Sequence, residues 1–107
     1  MRAIIAVCLF LIACPAVAQM PRAQTLLNIT ATTVVKPANG NLITITVTTA
    51  GSAPGSINDT TTTGGVAASN LIATIPNTVG IYYIPFTFLN GLVVTPGTAQ
   101  VISVCYQ

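Results

Sequence analysis

Side chains able to do chemistry are few in this chain. Asp59 is its only acidic residue, and its basic residues are Arg2, Arg22 and Lys36. There is no His and no Trp. The thiols are Cys8, Cys14 and Cys105, and the phenols are Tyr82, Tyr83 and Tyr106. Ser and Thr hydroxyls abound, but a hydroxyl becomes a nucleophile only beside a base. Lys36 is the only lysine, and it stands in a turn signal with nothing to bury it and lower its pKa. Glycosidase chemistry needs two carboxyl groups, and Asp59 is alone. One Asp, one Cys and no His cannot fill a zinc shell. Calcium held by Asp59 and backbone carbonyls would have one carboxylate where a useful site has several. The chain therefore reads as non-enzymatic, with no cofactor and no metal.

Three residues stand out as ligand or interface candidates. Asp59 lies in Ile57-Asn58-Asp59-Thr60, at the end of a short predicted strand. The local expectation is an Asx-type turn, with the carboxylate accepting backbone N–H groups. An ion pair with Lys36 or Arg22, or an interface contact, is the alternative. Tyr82 and Tyr83 open an aromatic run that includes Phe86 and Phe88. Aromatics stack on sugars or bases, yet alternation sends about half of them inward, so this run is expected to supply most of the aromatic core. Asn28-Ile29-Thr30 and Asn58-Asp59-Thr60 fit the N-glycosylation pattern, which arises readily in a Thr-rich chain.

Charged residues make up 4% of the chain, against about 25% in an average soluble protein. The net charge of +2 includes Arg2, expected to be removed. No cluster of Lys and Arg marks a nucleic-acid or lipid-headgroup surface. The apolar fraction of 52% is enough for a folded domain. Threonine takes the place of charge, at about a fifth of residues 19–107, and its branched Cβ suits a pleated surface. A neutral surface of this kind invites association. It fits either an extracellular domain or one that packs against copies of itself or a larger assembly.

The first residues read as an address. Met1-Arg2 starts positive, Ala3 to Cys14 is an unbroken apolar run, and Pro15 breaks it. Ala16-Val17-Ala18 then supplies small residues for cleavage after Ala18, the layout of a secretory signal peptide. The run is short for a membrane span, so no stable membrane insertion is expected of the mature form. Leu11-Ile12-Ala13-Cys14 also resembles a lipobox, in which Cys14 would be lipidated, although Pro15 fits that motif poorly. Cleavage after Ala18 leaves Cys105 as the only thiol, either buried as a small residue or paired between molecules.

Period-two alternation dominates the rest. Residues 25–35 are β-prone, and Lys36-Pro37-Ala38-Asn39-Gly40 is a turn. Leu42 to Thr49 predicts a half-buried strand with Ile43, Ile45 and Val47 inward and Thr44, Thr46 and Thr48 outward. Short strands follow at Ser56 to Asp59 and Leu71 to Ile75, around an exposed loop at 60–65. In Ile81 to Leu89, Tyr82, Ile84, Phe86 and Phe88 share a face. Pro85 requires that strand to be an edge or to be bulged there. Asn90-Gly91 between Leu89 and Leu92 predicts a type I′ hairpin. Leu92 to Thr95 and Val101 to Tyr106 complete the set. About six or seven short strands with turns between them predict one all-β domain, a small β-sandwich or jelly-roll-like barrel over residues 25–107. Residues 1–18 would be the signal peptide and 19–24 a flexible lead.

The C-terminal half resembles the ending of a loose group of short phage and prophage proteins. The matching stretches are Phe88-Leu89-Asn90-Gly91-Leu92-Val93-Val94, Pro96-Gly97-Thr98-Ala99-Gln100-Val101 and Ser103-Val104-Cys105-Tyr106. Upstream, Gly55-Ser56-Ile57-Asn58-Asp59-Thr60-Thr61 and Ile72-Ala73-Thr74-Ile75-Pro76 are similar to a step and a short strand of the same group. The resemblance spans residues 40–107, and its motifs are turn and core patterns. It implies a β-sandwich tied to a virion, as a capsid-decorating or other accessory structural protein. Leu89 stands where the group often has Thr. The export signal is a departure, because a decoration protein assembled in the cytoplasm needs none. The alternative is a secreted or periplasmic adhesion module that binds a glycan through loops such as 60–65. For the phage-derived structural reading, the expected interface is a Thr-rich sheet face or the strand edge near Pro85.

Overall fold

The computed structural model describes residues 22–107. The segment read as a signal peptide, with Cys8, Cys14 and the cleavage site, lies outside the described residues. The alternating sequence folds into eight strands: β1 (Gln24–Ile29), β2 (Thr33–Lys36), β3 (Gly40–Thr49), β4 (Gly55–Asn58), β5 (Leu71–Ile75), β6 (Gly80–Phe88), β7 (Leu92–Thr95) and β8 (Val101–Tyr106). They form two antiparallel four-stranded sheets, ordered β1-β8-β3-β6 and β2-β7-β4-β5. The β-sandwich expectation holds, with eight strands rather than six or seven. The extra one arises because residues 25–35 divide at 30–32, sending β1 to the first sheet and β2 to the second. β1 begins at Gln24, within the segment expected to be a lead.

The core lies between the sheets. The first sheet contributes Ile29, Leu42, Ile45, Val47, Phe88, Ile102 and Val104, and the second Val35, Ile57, Ile75, Leu92 and Val94. Alternation on β3 changes phase at a bulge between Leu42 and Thr44. Leu42, Ile45 and Val47 are therefore the buried set, and Ile43, expected inward, is only half-buried. A bulge advances one strand by a residue and turns the following side chains over.

Pro85 satisfies both conditions set for it. β6 is an edge strand of the first sheet, and its Ile84-Pro85 pair falls in the same irregular stretch, opposite Ile43. A proline there leaves no ladder bond unmade. The aromatic core is smaller than alternation predicts. Phe88 is fully buried, Tyr82 packs on the core from its margin, and Phe86 and Tyr83 are exposed.

The Asn90-Gly91 hairpin is absent. β6 pairs with β3, whereas β7 pairs with β2 and β4 in the other sheet. Residues 89–91 are thus a corner that crosses between sheets. Neither Asn90 nor Gly91 has positive φ, which a type I′ turn requires. Gly91 is needed for another reason. A Cβ there would collide with the Thr60 carbonyl oxygen and stand 2.9 Å from that of Lys36.

Candidate functional site

Asp59 follows β4 and reaches across to the β6–β7 corner. Its Oδ2 accepts the Leu89 N–H at 2.9 Å, and its Oδ1 accepts the Asn90 N–H at 2.8 Å and the Gly91 N–H at 3.1 Å. The carboxylate does accept backbone N–H groups as expected, but from residues 30 to 32 positions away rather than from its own turn. This replaces both the Asx turn and the ion pair with Lys36 or Arg22. Burial pushes the Asp59 pKa up, and the three N–H donors outweigh it, so the pKa lies below its ordinary value. Asp59 is therefore a clamp on a sheet-to-sheet corner, with its acceptor oxygens already engaged.

Side-chain amides perform the same task elsewhere. Asn58 is buried and donates through Nδ2 to the Ala67 carbonyl at 3.0 Å and to Asn70 Oδ1 at 2.8 Å. Asn70 closes the loop by donating to the Gly65 carbonyl at 2.7 Å. At the other end, Asn77 exchanges two bonds with the Gly51 backbone, at 2.6 and 2.7 Å. Buried Gln100 accepts from the Gly97 N–H and donates to the Pro76 carbonyl, each at 2.9 Å. The Asn77–Gly51 and Gln100–Pro76 partners lie 26 and 24 residues apart, so spacing alone does not reveal them. The burial of Asn58 also removes it as a glycosylation acceptor, whereas Asn28 is exposed.

The two tyrosines part company. Tyr82 lies half-buried against the core and donates its hydroxyl to the Thr78 carbonyl at 2.6 Å. Tyr83 points away from the core and is 73% exposed. It belongs to the outer face of the first sheet, where two rows of side chains run across all four strands. One row is Thr25, Cys105, Thr44 and Tyr83. The next holds Ser103, Thr46 and Ile81, and Leu27 stands at its β1 end, in the bulge between Leu26 and Ile29 that faces Ser103. Leu27 is 64% and Ile81 75% exposed. Neither row contains a charged residue. Cys105 is free and half-buried in the middle of this face, not in the core.

Asp59 sits at the loop end, and Tyr83 lies on the sheet face. The structure does not gather the sequence candidates into one site. Among the described residues there is no group of three His, Cys, Asp or Glu side chains and no enclosed pocket. What the arrangement provides is a hydroxyl-lined, apolar-edged surface on a frame tied at both ends. Comparison with protein-family models, with curated proteins and with solved structures finds no match.

Proposed function

We propose that this chain is a non-enzymatic, phage-derived structural β-domain that is exported and built into a larger protein assembly, as a virion accessory or surface-associated component. The outer face of the first sheet carries this reading. It sets three large exposed apolar side chains, Leu27, Ile81 and Tyr83, on an uncharged Thr-rich ladder. Large apolar groups gathered on one face mark an interaction surface, whereas scattered ones do not. A surface without charge favours protein contact over nucleic acid or anionic lipid.

The exposure of Tyr83 favours a second reading, a secreted or periplasmic adhesion module in which the ring stacks on a glycan. Mass spectrometry of gradient-purified particles, beside the periplasmic fraction of the same cells, tests the first reading. A peptide starting at Gln19 in the particles supports export and virion association together. The same peptide in the periplasm alone overturns the virion reading. Saturable sugar binding that is lost in Tyr83→Ala then upholds the adhesion module.

A further inference from the structure

We infer that the outer face of the first sheet docks a second copy of this chain, face to face, about a two-fold axis parallel to the strands and midway between β8 and β3. The inference rests on the assembly reading above and names the partner at that surface. The first ground is that the face matches itself. Strand order in this sheet is β1-β8-β3-β6, so a two-fold axis along the strands lays β6 of one copy over β1 of the other, and β3 over β8. Each row is conserved by that operation. Ile81 then covers the second copy's Leu27, Tyr83 covers its Thr25, Thr46 meets Ser103, and Thr44 meets Cys105. An isologous interface requires this kind of self-complementarity.

Charge is the second ground. Charged residues are absent from both rows, so two copies meet without repulsion and leave no buried charge unpaired. A strongly charged partner would find nothing to pair with here. Area is the third. β1 and β8 have six residues each, so four strands about 4.8 Å apart overlap over about 20 Å and present about 390 Å² in projection from each copy. Together that is about 800 Å² of projection, and side-chain relief brings the accessible area to the scale of about 1,000 Å² at which a specific interface becomes credible. Aligned sheet packing at about 10 Å is the geometry that two such faces adopt.

The arrangement also fixes the place of Cys105. In the dimer its two copies lie one strand spacing apart laterally and one sheet spacing apart vertically, about 11 Å between Cα atoms. That exceeds the roughly 7 Å limit for a disulfide, so air oxidation should not join them, and the packed faces should shield both thiols from reagents.

Sedimentation velocity on the mature chain, from micromolar to millimolar, tests the inference. Wild type should be a dimer, and Thr46→Lys should weaken it about tenfold or more by placing two charges in the interface. Thr62→Lys, in the exposed 61–64 loop, should dimerise as wild type does, and circular dichroism should show both variants folded. Maleimide labelling of Cys105 should slow as the dimer fraction rises. A wild-type monomer at every concentration overturns the inference, as does a dimer indifferent to Thr46→Lys. Monomers that co-purify with particles overturn the dimer and leave the assembly reading standing. Dimers that associate with no particle or envelope uphold the dimer and overturn that reading.

Discussion

Asp59 is the chain's only acidic side chain, and the pH dependence of the fold follows from where its charge goes. Three backbone N–H groups stabilise the ionised carboxylate in the folded state, whereas the unfolded chain offers it water. The folded pKa is lowered from 3.8. The linked stability is therefore complete above that ordinary value and is lost as pH falls through the lowered folded value. Asp59→Asn leaves at least one of the donors weakly paired and should cost about 1–3 kcal/mol near neutrality, toward the lower end because the site is partly open to solvent. Thermal melts of the two proteins across the acid range check this. Wild type should lose melting temperature below about pH 4 and Asp59→Asn should stay nearly flat; parallel curves would mean that the clamp does not hold the charged form. Thr95 shows the opposite defect, since its buried Oγ1 has no hydrogen-bond partner. Thr95→Val removes an unsatisfied hydroxyl at nearly constant shape and should stabilise by up to about 1 kcal/mol. A urea midpoint that rises with the slope unchanged is the expected signature.

At the scale of elements, the corner at 89–91 separates what a local pattern shows from what it hides. Asn-Gly between apolar runs carries a strong hairpin signal, but here it links β6 and β7 in different sheets. Gly91→Ala should lose about 1–3 kcal/mol because the new methyl group meets the Thr60 and Lys36 carbonyls. Asn90→Ala, at an exposed position without positive φ, should stay within about 0.5 kcal/mol of wild type. A large loss in Asn90→Ala would restore the tight-turn explanation. Strand positions were easier to read. Leu71–Ile75, Leu92–Thr95 and Val101–Tyr106 were legible to the residue, because alternation and turn chemistry are local. The outward hydroxyls Thr44 and Thr46 were legible for the same reason. Ile43 departs from the alternation because a bulge depends on the neighbouring strands, and the partners of Asp59 are hidden from the sequence because they are set by the chain's return path.

At the scale of the molecule, that return path controls assembly of the fold. Of the seven connections between successive strands, only β4–β5 joins neighbours in a sheet. The other six leave a strand and arrive beside a partner distant in sequence. Loop-closure entropy is then lost before pairing compensates for it. Asn58 and Asn70 brace the β4–β5 loop, whereas Asn77, Gln100 and Asp59 tie the crossings to distant segments in place of tight turns. The bonds of these last three form only once both sheets are positioned, so they belong to the late stages of folding. Refolding from denaturant should therefore take milliseconds to seconds, as in other sandwiches dominated by non-local pairing. Ile45→Val, in the fully buried middle of β3, should slow folding, because β3 joins β8 to β6 and its pairing organises the first sheet. Asp59→Asn should instead speed unfolding and leave the folding rate nearly unchanged. Stopped-flow measurements on the three proteins decide the order. If Asp59→Asn slows folding as much as Ile45→Val does, the corner forms with the nucleus, and the clamp guides the crossing between sheets instead of locking it afterwards.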